Sequence, residues 1–546
     1  MRWLLLLLLP LLFLPQFQNR ADVVFINGNV ITVNDNFEVK EAIAIRENRV
    51  MLVGSDEEIR GLTGLRTEVI DLKGRSVLPG FEDSHIHFLS LAAMENQLDL
   101  SGVRDIGTLI GAVREKAESI PDGSWVLGRG WDQERMDWER DYRWPSREDL
   151  DLASSDNPVY IVRVCGHVAV VNSRALEIAG INKDTPDPPM GIIDRYDDGE
   201  PTGVLREEAA SLVSGKIPVQ SLKPSQSDLR RMLDRALADG ITCIEEAGVD
   251  RDDIDIYEEA FERGDLSLRV NLLLDADLMG EYTAEESRYE IKKDRLRVCG
   301  IKFYADGSLG GRTAALNQPY SDDPQNRGVL IMEVEELKEL FDIAHTSGFQ
   351  CCTHAIGDRA IEVVLEANRR SYESSGLETG IFRDRIEHCQ ITDGEIIEEI
   401  REQNMIASIQ FSFAASDSPW AAERVGERIK TSYAWRTMME KGIKCCGGTD
   451  APVESFSPML GIGRIITRDD NPGEALTLEQ AIRLYTMDSA YAQFQESELG
   501  SLEEGKLADL VVLSGDMLNT PKPKIDELKV DITMVDGVVV YARDGV

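Results

Sequence analysis

Apolar and polar positions along this chain follow two rhythms. Near both ends, short β-branched runs are separated by turns; through the middle, short apolar runs alternate with stretches of helical period. At the start, Val23-Val24-Phe25-Ile26 and Val30-Ile31-Thr32-Val33 flank Asn27-Gly28-Asn29. Asn-Gly between apolar runs is a hairpin signal. The far end has the same character: Leu510-Val511-Val512-Leu513, then Ile532-Thr533-Met534-Val535, which turns at Asp536-Gly537 into Val538-Val539-Val540-Tyr541. Two β-rich ends around a long middle predict that residues 22–78 and 497–546 pair into one composite β-sandwich.

In the middle, an apolar run entering Pro79-Gly80 is followed by strand candidates at 241–244, 268–274, 301–304, 349–354, 385–388, 406–409 and 444–448. With the opening strand these make a set of eight, and helical patterns at 229–238, 334–345 and 358–370 lie between them. Alternating β/α units of this kind predict a parallel (β/α)8 TIM-like barrel, here over residues 79–496, with its active site at the C-terminal strand ends. The interval ahead of residue 241 is much longer than one helical connection requires. Residues 103–225 are therefore expected to form an α+β insertion after the first barrel strand, placed over the catalytic face as a lid or substrate domain. Trp125, Trp131, Trp138 and Trp144 lie close together in it. They either face substrate or form the insertion's own core.

Length agrees with this division, since 546 residues exceed the ~250–300 that one core sustains. The net charge of −39 excludes nucleic acid as an expected partner, because phosphate binding needs a basic face. The eight cysteines include no Cys-x-x-Cys, and Cys351-Cys352 and Cys445-Cys446 are adjacent pairs. Neighbours on a strand face opposite ways, so these are expected to be reduced core thiols rather than a disulfide framework. Residues 1–21 conflict with a reducing compartment: a basic start precedes a leucine-rich run. That run has signal-peptide character and is short of the ~20 residues a spanning helix needs. It reads as an export signal, a short membrane anchor or a mis-called start. Localisation is membrane-associated or exported with the leader, cytoplasmic without it. Membrane attachment through the leader and homodimer formation stay open.

Candidate chemistry begins at His85-Ile86-His87, where two imidazoles share one side of a strand end and suit one divalent metal. Alone, the motif is equally a chance pair or a satisfied core pair. The chain has six histidines, and two others, His354 and His388, end strand candidates, as does Asp450. Lys302 sits inside the apolar run Ile301-Lys302-Phe303-Tyr304, where a buried lysine needs a partner or a chemical change. A barrel would point all of these into one mouth, and imidazole with carboxylate suits zinc and related ions.

These residues, with Leu78-Pro79-Gly80-Phe81, Ala305-Asp306-Gly307-Ser308-Leu309-Gly310, His354-Ala355-Ile356-Gly357-Asp358, Glu387-His388, Gly448-Thr449-Asp450 and Gly505-Lys506-Leu507-Ala508-Asp509-Leu510, resemble the metal-dependent amidohydrolase superfamily. The nearest likeness is to the branch that includes the N-substituted formamide deformylases, amidohydrolase family 3. Gly130-Trp131-Asp132 and the stretch from Gly166-His167 to Asn172-Ser173 extend the resemblance into the insertion. The resemblance implies that His85, His87 and Asp450 hold one divalent ion, that His354 and His388 hold a second, and that a CO2-carboxylated Lys302 bridges them. The alternative is a plain Lys302 donating hydrogen bonds at a one-metal site. His167 is expected to face substrate, Asp306, Asp358 and Glu387 to orient ligands, and His345 to be structural near a helix C-terminus. Arg312 either contacts substrate or belongs to a solvated loop. The function implied is hydrolysis of a non-peptide, amide-type C–N bond of a small molecule by metal-activated hydroxide, with Asp450 as general base and acid. Rivals are a deaminase or cyclic-amide hydrolase on the same scaffold, and a membrane-attached metal-binding regulatory protein without turnover.

Overall fold

The computed structural model describes residues 20–94, 97–136, 143–218, 223–282 and 295–545. Its centre is an eight-stranded parallel sheet, taken in order as β1 (Phe81–Ile86), β2 (Ile241–Val249), β3 (Arg269–Asp275), β4 (Leu296–Tyr304), β5 (Gln350–Ala355), β6 (Arg385–His388), β7 (Ile406–Gln410) and β8 (Cys445–Gly448). Each strand pairs with the next in sequence. The ring is drawn together between β8 and β1, where Asp450 N–H donates to the His85 carbonyl at 2.7 Å and His87 N–H to the Ala451 carbonyl at 2.8 Å. The Ser84 hydroxyl adds a bond to the Gly447 carbonyl at 2.9 Å. The strands are buried on both faces, which is why they read as continuous apolar runs rather than alternating ones. Helices Gln226–Ala238, Val334–Thr346 and Asp358–Ser375 occupy the stretches of helical period, so this is the TIM-like barrel expected.

Polar groups bridge the barrel interior. Arg385 on β6 is fully buried, donating through Nε to Glu387 at 2.7 Å and through Nη2 to the Ser84 carbonyl at 3.1 Å, and pairing with Glu245. Removing it strands two buried carboxylates. Arg385→Leu is expected to cost roughly 3–5 kcal/mol, read as a lower denaturation midpoint of the purified protein.

Both chain ends do build the neighbouring β unit, through one six-stranded sheet ordered Val538–Ala542, Val530–Val535, Leu510–Leu513, Ser76–Pro79, Asn29–Ile31, Val39–Lys40. A four-stranded sheet facing it comes from the N-terminal end alone: Arg49–Gly54, Ala42–Arg46, Val23–Ile26, Glu68–Asp71. Phe25, Ile43, Val77, Leu510 and Met534 share one core between them. The Asp536-Gly537 hairpin forms as expected. Asn27-Gly28 does not make a hairpin: the runs it joins belong to different sheets. Asn27 takes a positive φ of 57°, but the turn carries the chain from one sheet to the other. Gly80, where the chain passes from the composite sheet into β1, has no room for a Cβ against Thr242. At the start of β3, Arg269 donates to Asp509 at 2.7 and 3.1 Å, tying the lower barrel end to the C-terminal strands.

The insertion carries a six-stranded sheet ordered Gly191–Arg195, Pro201–Glu207, Val168–Val171, Val159–Arg163, Val126–Trp131, Leu98–Asp99, so it begins ahead of residue 103. Trp131 is buried in its core with Trp144 against it, ring centroids 5.7 Å apart, and Trp125 packs on the core of the sheet's other side. These three serve the insertion itself; Trp138 lies outside the described residues. Residues 1–19 of the leader also lie outside them. Among the described residues, no helix is long and apolar enough to cross a membrane.

Candidate active site

The site assembles at the C-terminal ends of the strands. His85 is on β1, and His87 follows the strand's last residue at the head of helix Phe88–Ala93. Lys302 is on β4 and His354 on β5; His388 ends β6, and Asp450 lies just past β8. His388 and Asp450 both hold positive φ, 73° and 56°, backbone strain of the kind that concentrates at working sites.

The six predicted ligands and His167 lie close together. Asp450 Oδ1 lies 3.6 Å from His85 Nε2 and 3.3 Å from His87 Nε2, and one donor atom from each of the three falls within 4.8 Å of the others. Lys302 Nζ is 3.2 Å from His85 Nε2. The His388 ring lies 5.1 Å from that of His85 and 4.4 Å from that of His354, and the His167 ring is 5.1 Å from His354.

Three of the site's imidazoles are each anchored through one nitrogen. His85 Nδ1 meets Glu387 at 2.5 Å, His388 Nδ1 meets Gln410 at 2.9 Å, and His354 Nε2 meets the Gly307 carbonyl at 3.1 Å. That leaves the second nitrogens of His354 and His388 for another partner, while that of His85 meets Lys302. Burial presses the pKa of His85 down to about 4 and that of His388 to about 3, and pushes His354 well below its ordinary value. All three are neutral at pH 7, the form that ligates metal. His167 is the exception: burial opposes its charge, but the Glu207 carboxylate at 2.8 Å outweighs it and raises the pKa to about 9. Burial lowers the pKa of Lys302 against the pull of Glu387 and Asp450.

His87, His167, Lys302, His354, His388 and Asp450 line a cavity of about 470 Å3, which insertion residues including Arg129, Tyr160, Cys165 and Met190 also border. A family model described as the amidohydrolase family matches residues 68–541. The chain belongs to the amidohydrolase family. It is 34% identical over 536 residues to the protein called amidohydrolase YtcJ of Bacillus subtilis (strain 168), covering 94% of this chain and 98% of that one. It is 27% identical over 547 residues to the N-substituted formamide deformylase of Arthrobacter pascens, covering 96% and 99%. A crystal structure of a metal-dependent hydrolase from Pyrococcus furiosus superposes with a TM-score of 0.70 at 30% identity, covering 92% of this chain and all of that one. This amidohydrolase is thus a metal-dependent hydrolase of C–N bonds other than peptide bonds.

The donor set fits a divalent ion. His85, His87 and Asp450 offer two imidazoles and a carboxylate around one point. His354 and His388 offer two more imidazoles, and Lys302, 3.2 Å from His85 Nε2, carries an ammonium that in its plain form would repel a cation.

Other residues fall differently from expectation. Glu387 does orient His85, and Asp306 approaches His354 at 3.5 Å. Asp358 does not reach a ligand; its carboxylate accepts the N–H groups of Asn317 and Arg359 and pins a loop. Arg312 pairs with Asp322 at 3.0 Å. All eight cysteines are unbridged, seven of them buried, but Cys165 lines the cavity rather than the core. Sequence reading missed Glu207 and Gln410. Gln410 had a usable signal, since it ends β7 as His388 ends β6. Glu207 had none, because its partner His167 comes from a different insertion loop.

Proposed function

We propose that the chain hydrolyses an amide-type C–N bond of a small molecule, using two divalent ions, zinc first among candidates. His85, His87 and Asp450 would hold one and His354 and His388 the other, with Lys302 carboxylated between them. In that modification the neutral Nζ adds to CO2 and releases a proton, so an anion replaces the cation. The observation that carries this reading is the convergence of His85, His87 and Asp450 beside a buried Lys302 at the cavity floor.

When bound, the ions supply a water of lowered pKa and a Lewis acid for the carbonyl. Glu387, Gln410 and the Gly307 carbonyl keep the three buried imidazoles in fixed orientations. Asp450 takes the proton from the attacking water and returns it to the leaving nitrogen. His87, His388 and His85 hold its carboxyl well below the ordinary range, outweighing burial, so it starts as a base. His167, anchored on Glu207 through Nδ1, presents its other nitrogen to the cavity and orients the substrate carbonyl. The insertion's cover limits bulk water at the reacting bond.

The test is amine release by metal-loaded protein over a panel of small amides. Chelation should abolish it and added zinc restore it; release of ammonia instead of a larger amine would favour the deaminase reading. His167→Ala is expected to lower kcat about 10²-fold with metal content unchanged, and Glu207→Gln to lower it less. Wild-type turnover in both variants would remove His167 from the mechanism.

A further inference from the structure

We propose that Arg129 is a receptor for a carboxylate on the substrate, so that the molecule hydrolysed carries a carboxylate at one end and the scissile C–N bond at the other. The proposal deepens the hydrolase reading above and rests on it for the identity of that bond. Arg129 is on the insertion strand Val126–Trp131, at an irregularity in its pairing between Arg129 and Trp131, where Gly130 takes a φ of 101°. Such a bulge re-aims a side chain. The guanidinium lies against Gly166, where a Cβ would come within 3.3 Å of Nη2. It borders the same 470 Å3 cavity as His87, Lys302 and Asp450.

What marks Arg129 out is that, among the described residues, no carboxylate lies within ion-pair distance of it. Among the described residues its guanidinium makes one hydrogen bond, a long one of 3.4 Å to the Val164 carbonyl, and its Nε is buried with no partner. Neighbouring arginines are matched: Arg163 with Asp132 at 2.7 Å, Arg206 with Asp194 at 2.7 Å, and Arg424 with Glu134. In a chain with 98 acidic residues against 59 basic ones, an arginine facing a cavity without a carboxylate is not explained by scarcity of acids. A guanidinium withdrawn from water is costly unless an anion meets it, and its planar fork matches a carboxylate's two oxygens. The acids that line the cavities Arg129 borders are otherwise engaged: Glu207 holds His167, Asp450 faces the histidines, Glu246 accepts from Tyr257 and the Phe88 N–H, Asp250 and Asp253 pair with Lys223, and Glu208 is exposed at the rim. Met190, Ile331 and Met332 add an apolar stretch to a wall that also carries Ser90, Ser211 and Ser214. The ligand that fits has an apolar body between its two polar ends.

The experiment pairs each amide with a twin of the same shape. Zinc-loaded wild type is given N-formylamino carboxylates of increasing spacer length and their carboxamide counterparts. The carboxylate member of the best pair should be preferred in kcat/KM by about tenfold or more, the effect of one charged hydrogen-bonded pair. Arg129→Met should bring that ratio close to one, and Arg129→Lys should leave an intermediate preference. Calorimetry with phenylalkanoates against phenylalkanamides reads the same site without turnover, with Kd for the acid weakened at least about tenfold in Arg129→Met. If neutral and anionic twins are hydrolysed equally and the variants change neither ratio nor Kd, the carboxylate receptor is wrong and the hydrolase reading stands. If no amide is cleaved yet the acids bind through Arg129, the hydrolase reading is wrong and the receptor stands. Acids that bind as well to Arg129→Met as to wild type sit elsewhere, and overturn the proposal.

Discussion

Asp450→Asn is expected to lower kcat about 10³-fold or more, the largest single loss in the site. In the mechanism proposed above the carboxylate has two tasks that Asn cannot take over. It lies 3.3 Å from His87 and 3.6 Å from His85, where it completes a three-ligand set, and it is the group placed to move the proton from water to leaving nitrogen. General acid–base transfer alone is worth about 10²–10⁴-fold. The two tasks separate in a zinc titration. If saturating zinc returns the metal content but not kcat, Asp450 moves the proton; if it returns both, Asp450 is only a ligand. The positive φ of 56° is a backbone demand Asn meets as readily as Asp, so loss of fold does not confuse the result.

Lys302→Ala is the second large effect. Lys302 is buried on β4, 3.2 Å from His85 and with its Nζ over the Tyr304 ring at 5.1 Å. As the bridging carbamate proposed above it would hold both ions; removed, it should cost at least one metal equivalent and about 10²-fold or more in kcat, since loss of even an outer ligand-orienting group costs about 10–100-fold. A short carboxylic acid added to Lys302→Ala should restore part of the activity by entering the vacated space. In wild type, acidification and dialysis against CO2-free buffer should lower activity, and bicarbonate should restore it. Full metal content and full activity in Lys302→Ala would end the bridging role.

The catalytic floor was legible in sequence because a parallel barrel turns position along the chain into position in space. A residue at the end of an apolar run must project into the mouth, so His354, His388 and Asp450 could be placed beside His85 and His87 without any knowledge of contacts. Lys302 stood out for the opposite reason, as a charge inside a run with no other polar residue. Where partners come from distant segments, the same reasoning fails. Asn27-Gly28 carries a local hairpin signal, but its flanking strands are chosen by Ala42–Arg46 and Ser76–Pro79, which lie in different sheets. Asp358 was expected to orient a ligand, yet helix Asp358–Ser375 begins there and its carboxylate accepts from Asn317 instead. His345 was expected at a helix end, which is correct, but what holds it is non-local: Asp384 at 3.2 Å, Ser371 at 3.1 Å and the face of Phe382 stacked 4.6 Å away. The lid was the least legible part. Its size and position followed from spacing, while Glu207, Arg129 and Cys165 reach the cavity through sheet pairings that no short motif encodes.

Metal stoichiometry and amine release measured together on the same zinc-reconstituted protein bear most directly on the proposed chemistry. Expected are two ions per chain and release of amine from at least one class of small amide, both lost on chelation and both regained with zinc. Two tightly bound ions with no amine or ammonia released across a broad amide panel would contradict a hydrolase at this site.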